Sequence, residues 1–81
     1  MTKTSQALIK LLGMFPGTEL VSATNQDGLM GWMLVRLSHS FEYEPGTTRL
    51  KLLDFSIWKH TGAIHRMEGG EVIDPPLLTL E

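Results

Sequence analysis

Eighty-one residues without a cysteine, seven of them basic and nine acidic, hold one folding unit and exclude a disulfide scaffold, a thiolate metal centre and a thiol nucleophile. A hydrophobic share of 42% suffices for a packed core, and a net charge of −2 is too small for a disordered chain and of the wrong sign for a duplex nucleic-acid footprint. A chain this short buries only about 60% of its unfolded surface, so self-association is expected.

Residues 7–15 are apolar, but Lys10 interrupts them and no small-residue cleavage pattern follows, so a secretory leader is not expected. The longest uncharged apolar run, residues 29–35, falls far below the roughly 20 needed to span a bilayer. A cytoplasmic protein that does not enter membranes is the expectation. Residues 5–13 predict a helix, with Thr4 or Ser5 as N-cap and Leu8, Leu11, Leu12 and Phe15 on one face. Gly13 and Pro16-Gly17 supply its stop signals.

From Gly17 onward the period is that of strands. Strands are predicted over residues 18–24, 29–44, 48–59, 63–67 and 71–74. The turns between them fall at Asn25-Gln26-Asp27-Gly28, Glu44-Pro45-Gly46-Thr47, His60-Thr61-Gly62 and Glu68-Gly69-Gly70-Glu71. Asp74-Pro75-Pro76 is expected to end pairing and leave residues 75–81 as an apolar tail. The fold expected is α+β: an N-terminal helix packed on a bent antiparallel meander of four to five strands, the whole of residues 1–81 forming one domain. In the long hairpin, Tyr43 is set opposite Thr48, Phe41 opposite Leu50 and His39 opposite Leu52. A bulge at Leu53-Asp54 then brings Leu37 opposite Phe55, Val35 opposite Ile57 and Leu34 opposite Trp58.

Side-chain parity through these hairpins predicts two faces. The first carries Met33, Val35, Leu37, His39, Phe41, Tyr43, Leu50, Leu52, Phe55, Ile57 and Met67 under the helix. The second carries Met30, Trp32, Leu34, Arg36, Trp58, Ile64 and Arg66, an arginine-flanked aromatic patch with the composition of an interface hot spot. The run from Leu29 to Val35 is apolar on both sides of its strand, and one short helix covers one side only.

His39, His60 and His65 match no metal-ligand spacing, and no serine or cysteine stands in a nucleophile motif, so neither a metal nor a cofactor nor enzymatic activity is expected. In order of elements, a helix followed by five short strands, the chain resembles the Sm-like small barrels that bind RNA as rings. Asp27-Gly28 stands where that family has its first hairpin. Its Asp-x-x-Met-Asn-like signature is absent, and Arg66-Met67-Glu68-Gly69 departs from its closing Arg-Gly, so the resemblance assigns no residue here. The function expected is a non-enzymatic interaction module that self-associates, most simply as a dimer, through the aromatic face, with a heterologous protein partner as the next option. A small-molecule pocket or enzyme site near His39, Tyr43 and His65 is one alternative. A single-stranded nucleic-acid adaptor using the tryptophans and arginines is another, disfavoured by the net charge.

Overall fold

The computed structural model describes residues 2–26 and 31–80. Its first element, α1 (Lys3–Met14), begins earlier than the periodicity suggests, because the Thr2 hydroxyl accepts a hydrogen bond from the Ser5 amide and so caps the helix. Gly13 lies inside the helix rather than after it. The stop comes at Phe15, whose carbonyl accepts from both the amide and the hydroxyl of Thr18, at 3.3 and 2.6 Å, around Pro16-Gly17. Gly17 has φ of +86°, so the turn requires a glycine there. Ala7 and Leu11, one turn apart, are the helix residues that become buried.

Five strands follow: β1 (Thr18–Gln26), β2 (Trp32–Glu44), β3 (Thr47–Trp58), β4 (Ile64–Glu68) and β5 (Glu71–Leu78). They form one antiparallel sheet in sequence order, β1-β2-β3-β4-β5. This is the α+β meander with an N-terminal helix that the sequence predicts. β1 and β5 stand at opposite edges, without the first-to-last pairing that closes a small barrel.

Three details depart from expectation. The extra residue of the long hairpin is Tyr43, between the pairs Glu42↔Thr48 and Glu44↔Thr47, and not Leu53-Asp54. Pro45-Gly46, with Gly46 at φ +81°, fits a tight turn with proline first and a left-handed glycine second, and its closure puts the odd residue at the strand end. As a result Val35 faces Phe55, Leu37 faces Leu53, Met33 faces Ile57 and Trp32 faces Trp58, and Leu50 and Leu52 move to the second face. The second departure is in β4, where Ile57 pairs with Ile64, which puts Ile64 and Arg66 on the helix side and His65 and Met67 on the other. The third is β5, which runs through Pro75 and Pro76 to pair Leu78 with Ile64 after an offset in register. An edge strand tolerates prolines that a central strand does not, so the predicted tail is largely strand.

The core lies between α1 and the first face. Ala7 and Leu11 meet Met33, Val35, Leu37, Phe55, Ile57 and Ile64, with Phe15 tilted against Phe55 at 5.2 Å between ring centroids. Leu77, Leu78 and Leu80 pack on the same cluster. Helix and C-terminal segment therefore share one side, and the second face is left to its own side chains. β2 and β3 also outrun their neighbours. β1 stops pairing at Thr18↔His39 and β4 at Asp54↔Met67, so beyond these points the two strands form a free two-stranded arm. On the arm Arg49 lies over the Tyr43 ring at 3.9 Å, and the His39 and Phe41 rings stack at 6.3 Å.

Candidate functional site

The second sheet face is organised around the β2–β3 register. Trp32 and Trp58 are directly paired, with ring centroids 6.0 Å apart at 34°. The Trp58 ring meets the His65 ring edge-on, at 6.4 Å and 81°. Between Leu34 on β2 and His65 on β4 lies Ser56, whose hydroxyl is fully buried and finds no partner among the described residues. Such a burial costs about 1–3 kcal/mol, so the large side chains closing over Ser56 must offset it.

One pair further along, Arg36 faces Asp54 and grips it at two points, Nε to Oδ1 at 2.8 Å and Nη2 to Oδ2 at 3.1 Å. The hydrogen bond from Arg36 holds the Asp54 carboxyl below the ordinary carboxylate range; partial burial works against this, and the attraction of the two charges adds to it. The same bond and attraction raise the guanidinium of Arg36. Beyond the pair, Leu52 and Leu50 continue the face along the arm, 55% and 72% exposed. Met67 and Val72 extend it across β4 and β5.

Trp32, Leu34, Arg36 and Trp58 are thus brought together as the sequence predicts, whereas Met30 lies outside the described residues. Ile64 is not part of the face: it is 0% exposed in the core beneath the helix. Arg66 is on the helix side too, opposite Phe55 and 3.9 Å from Glu68. The expected grouping of His39, Tyr43 and His65 does not form, because His39 and Tyr43 are on β2 at and beyond the base of the arm while His65 is on the opposite face beside Trp58.

A feature without a signal in the sequence is a cavity of about 280 Å³ at the end of the second face, lined by Gly31, Trp58, His60, Thr61, Ala63 and His65. Backbone bonds frame it: Lys59 N–H donates to Gly31, Trp58 N–H to Ala63 and Gly62 N–H to Trp58. Only the β2–β3 and β3–β4 registers together bring these residues to one place. Among the described residues, no cluster of three or more His, Asp or Glu is arranged to hold a metal, and no helix is long and apolar enough to cross a membrane. No family model, curated protein or solved structure matches the chain.

Proposed function

We propose that this protein is a self-associating interaction module whose second sheet face packs against the same face of another copy. The observation that carries this reading is that apolar side chains stand on both sides of the Arg36–Asp54 pair, Trp32, Leu34 and Trp58 on one and the exposed Leu52 and Leu50 on the other, on the face opposite both helix and C-terminal segment. Strand spacing and rise give this face a footprint of about 500 Å² before side-chain corrugation, and the arm extends it toward the roughly 800 Å² per partner of a stable complex. Charge does not oppose the contact at its centre, since Arg36 and Asp54 neutralise one another there. A two-fold arrangement supports this best, because one patch that complements itself closes at two copies.

Light scattering coupled to size exclusion tests the proposal. A multiple of the 9.1 kDa chain mass is expected, with Leu52→Glu reducing the mass to one chain that keeps the wild-type secondary structure and melts cooperatively at a lower temperature. Trp32→Glu should act in the same direction at greater cost to the fold, because it also breaks the Trp32–Trp58 contact. A wild-type protein that stays at one chain mass at every concentration would overturn the proposal, as would a Leu52→Glu variant that keeps the wild-type multiple.

A further inference from the structure

We infer that the cavity at the Gly31 end of the second face is a binding site for a small, neutral aromatic molecule carrying one hydrogen-bond donor, of the phenol or indole class. The site is a solvent-open pocket whose volume of about 280 Å³ lies at the lower bound of small-molecule pockets. Among the described residues no Lys, Arg, Asp or Glu lines it, which favours a neutral ligand. Trp58 and His65 stand edge-on to each other at 81° and offer an aromatic wall.

The donor follows from the protonation of His65. Its Nδ1 lies 3.2 Å from the Ile73 carbonyl oxygen and 3.3 Å from Asp74 Oδ1. Both oxygens only accept, so Nδ1 carries the proton and turns toward β5. In the neutral ring Nε2 is then an acceptor, directed away from β5, in a residue that lines the cavity. A histidine fixed in this way is also the arrangement of a metal ligand. Among the described lining residues only His60 and His65 could bind zinc, however, fewer than the three or four protein ligands its sites use. A ring that fills the apolar space and donates to Nε2 satisfies both features at once. The backbone bonds from Lys59, Trp58 and Gly62 hold the walls in place without a ligand.

Phenol, indole and toluene are the probes, titrated into the full chain and followed by tryptophan fluorescence and calorimetry. Phenol and indole should bind at least tenfold more tightly than toluene, and His65→Phe should abolish that preference while retaining toluene binding. On the wild-type protein, ring nitrogen spectra should show His65 Nε2 unprotonated and shifted by phenol but not by toluene, a readout that does not depend on a variant folding. Equal affinity for phenol and toluene, an unmoved Nε2 signal, or a preference that survives His65→Phe would overturn the inference. Repeating the titration with Leu52→Glu separates it from self-association: the site should bind equally well in that variant, whatever its mass.

Discussion

Arg36 and Asp54 stand directly opposite one another on β2 and β3, joined by two hydrogen bonds in the middle of a face whose other central members are Trp32, Leu34 and Trp58. The pair puts a titratable group at the centre of the face. Because the Asp54 carboxyl is held below its ordinary value when folded, its contribution is fully present above the unfolded value of about 3.9 and is lost as pH falls through the lower folded value. Thermal melts of the wild type and Asp54→Asn between neutral and acid pH should therefore differ most near neutrality, with the wild type more stable, and converge in acid. A gap that widens on acidification would contradict the assignment.

Leu11 is the helix residue on which docking depends. It is 0% exposed and meets the first face of the sheet. Leu11→Ala should cost about 2–5 kcal/mol, which for a domain of this size amounts to roughly 10 °C or more in melting temperature. Chemical denaturation should show the change in midpoint, and a loss below about 1 kcal/mol would mean that the helix is not held by this side chain.

Gly62 is required twice over. Its φ is +72°, and a Cβ placed there would stand 2.5 Å from Leu80 Cδ1. The backbone alone makes Gly62→Ala unfavourable by about 1–2 kcal/mol, and the clash adds to that. In the double variant with Leu80→Ala the contacts with Leu80 Cδ1 and Cγ disappear, leaving its Cβ at 3.2 Å, and the backbone cost remains, so the two substitutions should destabilise less together than their separate effects imply. Additive effects would show that Leu80 does not pack on Gly62.

The arm beyond His39 and Leu53 pairs only with itself, and a lone two-stranded hairpin is marginal in water. Its amides, at residues 40–51, should exchange with solvent faster than those of Met33, Val35 and Leu37 in the five-stranded part. Arg49→Ala should speed the arm further without changing the core, since Arg49 contacts the Tyr43 ring and not the helix. Equal protection along β2 in the single-chain Leu52→Glu variant would refute this.

Much of the fold is legible in the sequence because its periods are clean. Alternation from Val35 to Glu44 marks a strand with one buried side, Pro45-Gly46 marks the reversal, and the change of period at Pro16-Gly17 separates helix from sheet. The register is harder to read, and the failure is specific. Leu52-Leu53 suggests a bulge only if every leucine is taken as buried; in the structure Leu53 flanks the core while Leu52 is exposed on the far face. A one-residue difference in the connection from Trp58 to β4 exchanges Ile64 with His65, and since side chains alternate, it reverses that whole strand. Trp32, Leu34, Arg36 and Trp58 could be grouped from sequence because they sit on adjacent strands near known turns. The cavity could not, because it needs Gly31, His60 and His65 to converge from three segments.

The prolines of β5 have a consequence at the scale of many molecules. Successive backbone amides of a strand point to opposite sides, so Pro75 and Pro76 together remove a donor from each side of that edge. The other edge, β1, is exposed along most of its length, and Glu19 is its single charge. The β5 border is thus the poorer template for a further strand. Should two copies join along β1, the product is ten strands wide with β5 at both margins, and only the poorer template is left for the contact to propagate: the join favours a pair over a fibre.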